Sequence, residues 1–275
     1  MRVILGIIAG AVLAGLGAGC APSEPSPGPP VAVTSPLLRC AVLEMLGPDA
    51  AVLSLTGPGM CPGHFDVGPP GQVRALRGVR ILLRFDFQAD LDKLLEPHAD
   101  GELHIVPVKV PGGMAEPRSF AAVCEQVAEA LVAAGLLGRE AADARLADVQ
   151  ARMEALETWA RQTVRDAGLA GQPVVASRHQ AAFCRALGLD VKATFSAADT
   201  AGMGEVRSAL AAGRAAGATL VIANRPEGRQ AADALAESLG ARVVVFDNFP
   251  DEGPRNAFEA MVRGNVERLT AEGRP

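Results

Sequence analysis

REAADARLADVQARMEALETWARQTVRDAG (139–168) is the stretch that decides the fold. Apolar residues recur through it at helical spacing, and Ala, Leu, Arg and Glu, which dominate it, are all strong helix formers. A helix of about 28 residues spans on the order of 40 Å at 1.5 Å per residue, too long for an ordinary connector. A coiled-coil seam would need its heptads to continue, and they do not extend beyond this one stretch, so the segment reads as a backbone helix linking two lobes. It is the second part of a helical region over 117–168, divided near Gly135–Gly138.

Both flanks of that region alternate strand and helix. On the amino side, VAVTS (31–35), AVLSL (51–55), VRILLRF (79–85) and LHIVPV (103–108) read as strands, with helices over 36–46 and near 88–96. Ser35–Pro36 supplies cap and first-turn chemistry for the first helix. On the carboxyl side, PVVAS (173–177), DVKATF (190–195), TLVIAN (219–224) and RVVVF (242–246) are strands, with helices over 181–187, near 203–215, over 228–239 and over 255–269. The runs VVVF and LVIA are continuously apolar, as central parallel strands covered on both faces must be. The expected fold is α/β: two β/α lobes, 31–116 and 169–275, joined by the single long helix of 117–168, with a ligand site in the crevice between them.

The chain begins as an export signal does. Arg2 precedes an apolar run over 3–18, and Gly17, Ala18 and Gly19 lead into Cys20. A cysteine directly after small residues reads as a lipoprotein signal over 1–20, with Cys20 lipidated; an ordinary cleaved signal or an uncleaved anchor are the alternatives, although the run is short for spanning a bilayer. APSEPSPGPP (21–30) has no apolar period and reads as an extended tether between a membrane anchor and the folded part. The expected location is outside the cytoplasm, in the periplasm or on the outer face of a membrane. Net charge is −5, without a basic cluster carrying interleaved aromatics, which excludes nucleic acid as a partner.

Three candidate metal ligands lie far apart in sequence, yet each follows an apolar run that reads as a strand: His64 in MCPGHFD (60–66), His179 in SRHQAAF (177–183) and Asp247 in VVVFDNFP (243–250). Strand ends in open α/β sheets converge on a crevice, so these residues can meet around one ligand. Beyond Cys20, the cysteines are Cys40, Cys61, Cys124 and Cys184. In an oxidising compartment an even number invites disulfides; Cys40–Cys61 is the preferred pair, and the competing reading makes Cys61 a metal ligand beside His64.

The chain resembles the solute-binding proteins of ABC importers for zinc or manganese, whose two lobes are linked by one rigid helix. GPGMCPGHFD (57–66) is similar to the family's loop with a ligand His, ALAESLGARVVVFD (234–247) to its helix and strand ending in a ligand Asp, and AFEAMVRGNVERL (257–269) to its terminal helix. The resemblance implies capture of a transition-metal ion between the lobes and delivery to a membrane permease, by a monomer held to the membrane through a lipid anchor. It implies His64 as the first ligand, His179 as the third and Asp247 as the last. The family's second histidine has no counterpart, since GGMAEPRSF (112–120) offers Met114 and Glu116 instead.

Two imidazoles and a carboxylate suit Zn²⁺ and leave its tetrahedral shell short of one donor. Cys61 is the candidate for that place, and its thiolate favours zinc, or softer copper, over manganese; with Cys61 in a disulfide, Glu116 or water takes over. Glu227 in ANRPEG (223–228) and Arg84 in RFDFQ (84–88) stay outside the ligand set, the latter as an anion holder or the partner of Asp86; His98 and His104 match no ligand position. Two other functions fit the architecture: capture of a metal chelate such as cobalamin or an iron complex, and metal-dependent hydrolysis. The absence of tyrosine and the single Trp159 deny a chelate its aromatic platform. No H-E-x-x-H and no G-x-S-x-G motif supports an enzyme.

Overall fold

The computed structural model describes residues 29–56, 76, 78–95, 103–197, 202–251 and 255–271. Its first lobe runs β1 (Val31–Val33), α1 (Pro36–Leu46), β2 (Val52–Ser54), β3 (Ile81–Phe85), α2 (Asp90–Leu95) and β4 (His104–Val108). Two helices follow, α3 (Pro117–Ala133) and the long α4 (Arg139–Asp166). The second lobe continues with β5 (Pro173–Ser177), α5 (Ala181–Ala186), β6 (Asp190–Phe195), α6 (Met203–Ala216), β7 (Leu220–Asn224), α7 (Gln230–Leu239), β8 (Arg242–Phe246) and α8 (Ala257–Thr270). These are the expected elements in the expected order. The differences are at ends: short 3₁₀ turns, Asp86–Gln88 and Arg225–Glu227, occupy the stretches between strand and helix that the sequence reading leaves unassigned before α2 and α7.

Each sheet is parallel, with strand orders β2-β1-β3-β4 and β6-β5-β7-β8. The inner strands β3 and β7 are buried at every residue, which is why their sequences show no polar alternation. Because the order reverses direction once in each sheet, a switch point lies between β1 and β3 in the first and between β5 and β7 in the second. Helices leave on opposite faces there, and the loops at the strand carboxyl ends part to form a crevice. In the first lobe that gap is bridged within the protein: Thr34 Oγ1 donates to Gln88 Oε1 at 2.7 Å.

Helix α4 buries one stripe, Ala142, Val149, Met153, Leu156, Ala160 and Val164, with Leu146 and Trp159 half-buried beside it. The stripe belongs to a continuous core that takes in Val31 and Leu83 of the first sheet together with Val174 and Val244 of the second. The lobes also touch directly. Phe120 of α3 and Phe258 of α8 stack with ring centroids 4.1 Å apart and an interplanar angle of 8°. Met114, beyond β4, lies with its sulfur 4.0 Å from Asn248 Nδ2, beyond β8. A Cβ added at Gly113 would stand 3.1 Å from Ala182 Cβ, so this loop needs glycine to approach α5 closely. The loop beyond β4 of the first sheet therefore lies against the carboxyl end of the second.

A charged cluster ties the same elements together. Glu44 of α1 is nearly inaccessible, with 1% of its side chain exposed, and its Oε2 accepts from Arg152 Nη2 of α4 at 2.6 Å and from Arg255 Nε at 2.5 Å. Arg152 also pairs with Glu259 of α8, and Arg255 reaches Asp148 of α4 at 2.5 Å. First lobe, linking helix and second lobe thus share one ion cluster. Removing one member of a buried pair costs on the order of 3–5 kcal/mol because its partner is left uncompensated, and the partial exposure of both arginines here points to the lower end. Glu44→Ala is expected to lower stability by about 3 kcal/mol, read as a lower urea midpoint with an unchanged slope. A loss under about 1 kcal/mol would mean that water already solvates the two arginines as well as Glu44 does.

Candidate metal site

Strand β5 ends at Ser177, which is fully buried, and the chain turns through Arg178, His179 and Gln180 into α5. Strand β7, on the other side of the switch point, ends at Asn224 and turns through Arg225, Pro226 and Glu227. The two turns meet. Ser177 donates from Oγ to Glu227 Oε2 at 2.5 Å and accepts from the His179 N–H at 3.3 Å. His179 Nε2 stands 3.5 Å from Glu227 Oε1, with the imidazole half exposed and the carboxylate 13% exposed. One buried hydroxyl thereby holds the Glu227 carboxylate and the His179 backbone in the same turn.

Asp247 follows β8, next to β7. Arg225 pairs with it from one side, and Arg268 of α8 donates to its Oδ2 at 2.5 Å from the other. Its backbone is held as well: its N–H donates to Asn265 Oδ1 at 2.8 Å, and its carbonyl accepts from Asn265 Nδ2 at 2.9 Å. The position expected for the last ligand is therefore rigid, and its carboxylate carries two guanidinium partners. Arg225 is well exposed and free to swing into solvent, whereas Arg268 is also committed to the Val245 carbonyl and to Asn265.

Gln180, the last residue of the turn after β5, is fully buried. Its Nε2 donates to Asn224 Oδ1 at 3.0 Å and lies 3.4 Å from both the Asp247 carbonyl and Asn248 Oδ1. Its Oε1 has no hydrogen-bond partner among the described residues, an expensive state for a buried acceptor.

The model of the ZnuA family, zinc-uptake complex component A, periplasmic, matches residues 31–272. The chain belongs to this family. No curated protein matches the chain at a significant level. Among solved structures, ZnuA itself aligns with a TM-score of 0.72 at 15% identity, covering 89% of this chain and 98% of that one. The periplasmic zinc-binding protein TroA of Treponema pallidum aligns at 0.71 and 16% identity, covering 90% and 100%. The Mn-bound periplasmic metal-binding protein of Candidatus Liberibacter asiaticus aligns at 0.73 and 11%, covering 89% and 99%. At these identities the likeness is one of fold.

In this ZnuA-family chain the expected ligands divide between described and undescribed regions. His64, Cys61 and the lipidation candidate Cys20 lie outside the described residues, as does His98. His179 and Asp247 both stand at the carboxyl end of the second sheet, as expected. Among the described residues no three His, Cys, Asp or Glu side chains converge on one point. Glu116 accepts from the Gly113 N–H at 2.9 Å, so its carboxylate is engaged in the turn before α3. His104 is exposed on β4, at the register position of Ile81. Arg84 corrects the reading: its bidentate partner is Asp92, at 2.6 and 2.5 Å, while from Asp86 it takes only a carbonyl contact at 3.4 Å. One helical turn brings Asp92 back over the strand end, a proximity that adjacency in sequence does not reveal.

Cys40 is a free thiol here, not half of the preferred Cys40–Cys61 disulfide; it lies 3.4 Å from the Arg255 carbonyl, to which it donates. Cys124 and Cys184 are likewise free and buried. Burial pushes the Cys40 and Cys184 thiols each up to about 12, and Cys124 well above its ordinary value. The thiolate is the reactive form, so all three are inert in the fold. Iodoacetamide at pH 8 should spare Cys40, Cys124 and Cys184 in the native protein and modify all three in guanidinium, as mapped by peptide mass. Rapid native modification of any of them would contradict its burial.

Proposed function

We propose that this chain is the extracytoplasmic solute-binding component of an ABC importer, capturing a transition-metal ion, zinc, and handing it to the membrane permease. The observation that carries the reading is membership of the zinc-uptake family over 31–272, in a molecule whose His179 stands at the switch point of the second sheet. The ion is held by His64 and His179 through nitrogen and by Asp247 through oxygen, with Cys61 as the sequence's candidate for a further donor. Nitrogen with one carboxylate suits Zn²⁺, whereas manganese prefers more oxygen and copper a softer set.

Capture exchanges one cation for another at Asp247. The exposed Arg225 pair contributes at most about 1 kcal/mol, so the divalent ion displaces it at small cost, while Arg268 keeps the carboxylate oriented. Lobe movement is small on this reading, because the core continues across α4 and the lobes are already in contact through Met114 and Asn248. Cys20 carries the lipid and residues 21–30 the tether, keeping a monomeric receptor beside its permease.

The chain beginning after Cys20, purified from an oxidising compartment without chelator, is expected to carry about one zinc by elemental analysis. Changing His64 and His179 to Ala together should abolish tight zinc binding while leaving the urea unfolding transition in place. Unaltered zinc affinity in that double variant would sink the ligand set, and a protein that neither carries nor acquires zinc would sink metal capture itself.

A further inference from the structure

We infer that the lobes part at the contact between Met114 and Asn248 and pivot on the Glu44 cluster, so that the Gly112–Glu116 loop is a latch past which cargo enters and leaves. The passage of cargo rests on the metal-capture reading above; the latch itself does not.

The first lobe makes polar contact with the second in two places of unlike strength. At one, Arg255 Nε of the second lobe donates to the buried Glu44 Oε2 of α1 at 2.5 Å, and Arg152 Nη2 of α4 donates to the same oxygen at 2.6 Å. Separating these charges would leave a carboxylate uncompensated in a buried position, so this place stays closed. At the other, Asn248 Nδ2 meets the Met114 sulfur at 4.0 Å. A thioether is a weak acceptor, and a water oxygen serves the amide better. Two lobes that share a core and are tied once strongly and once weakly open at the weak tie.

The loop that carries the latch moves with α3. Glu116, just before α3, accepts from the Gly113 N–H through Oε1 at 2.9 Å, and its own N–H donates to the Gly113 carbonyl at 3.1 Å. A Cβ at Gly112 would stand 2.7 Å from Ser119 Oγ of α3. Toward the second lobe the loop offers only close approach: a Cβ at Gly113 would stand 3.1 Å from Ala182 Cβ and 3.4 Å from the Phe183 nitrogen of α5. The loop is therefore bonded on one side and merely packed on the other, which puts the parting line between Gly113–Met114 and α5.

Behind that line lies a reason to open. Asn248 is buried, and its Oδ1 stands 3.4 Å from Nε2 of the fully buried Gln180. Gln180 Oε1 finds no donor among the described residues, and a buried acceptor in that state destabilises the closed arrangement. Withdrawing Met114 brings solvent to Asn248 and, through it, to Gln180, so opening supplies the hydrogen bond that closure withholds. This offsets part of the apolar contact that Met114 gives up, and the closed and open arrangements lie close in free energy.

The test is amide hydrogen exchange read by mass spectrometry, with stopped-flow zinc exchange against a chelating indicator, on the full chain after Cys20. The proteins are wild type, Met114→Ala, Gly113→Ala and Glu44→Ala. Met114→Ala removes the latch and Gly113→Ala crowds Ala182; each should raise exchange about tenfold in peptides covering 178–187 and leave those of α1 and α4 within about twofold. Glu44→Ala, at the pivot, should instead raise exchange in α1 and α4. Zinc entry and release should both quicken about tenfold in the two loop variants, with affinity within about threefold of wild type, because a latch alters the path and not the ligands. Exchange over 178–187 that Met114→Ala leaves within about twofold overturns the latch, whether or not zinc binds. Faster exchange with unchanged zinc rates overturns the passage of cargo at this point. So does a loss of affinity of about tenfold or more in Met114→Ala through release alone, since Met114 would then hold the ion itself. A wild-type chain that binds no zinc overturns metal capture, and the exchange result still decides the latch. Should Met114→Ala show no cooperative unfolding, Gly113→Ala decides by the same limits.

Discussion

Helix α4 has one apolar stripe and two lobes to share it, and the arrangement of everything else follows from that constraint. Ala142, Val149, Met153, Leu156, Ala160 and Val164 must all leave water, and no single sheet with its own helices is long enough to cover a stripe of on the order of 35 Å. Covering it takes α1 and α3 from one side of the sequence and α8 from the other, so the lobes are held against a common rod and their cores merge. The Glu44 cluster sits where α1, α4 and α8 meet, and its charges are bonded to partners on all three. A buried carboxylate contributes little net energy by such bonding, but it penalises every arrangement that separates the partners, which fixes the lobe orientation more sharply than apolar contact alone.

A fixed orientation has consequences at the crevice. The Gly113–Met114 loop already lies against α5 and Asn248, so a ligand that enters must be small or must displace packed groups. The polar groups along the second sheet's edge are likewise arranged in layers: Asn265 and Gln180 are buried and hold backbone and amides, Ser177 and Arg268 hold the carboxylates, and His179 and Arg225 reach solvent.

Much of this was legible in the sequence for reasons that can be traced. Strands β5 and β7 are short, apolar, followed by turn residues and buried almost throughout, which leaves them no other pattern to show; β8, whose VVVF run reads as a central strand, is instead an edge strand with a partly exposed run. Helix α4 was legible because its propensity and its period agree over its full length. His179 and Asp247 could be picked out because the strand-end rule needs only the order of elements. Glu227 satisfied the same rule and was set aside, because Pro-Glu-Gly also reads as the chemistry of a helix start; the sheet order, which makes β7 the neighbour of β5, is what gives it a partner. Gln180 gave no signal at all, since an amide one residue after a candidate ligand is indistinguishable from surface until its burial is known.

The sequence by itself determined the element types, their order and the division into two lobes, since hydrophobic period and turn chemistry act over neighbouring residues and are written locally. Family membership over 31–272 likewise comes from the order of residues along the chain. Only the tertiary structure decided the pairings: Arg84 with Asp92 and not Asp86, Asp247 between two arginines, Cys40 a free thiol under Arg255, and His179 facing Glu227 through the Ser177 hydroxyl. These depend on which strand lies beside which and on how far each side chain is from water, and an ion pair or a ligand distance depends on position in space with no counterpart in sequence spacing.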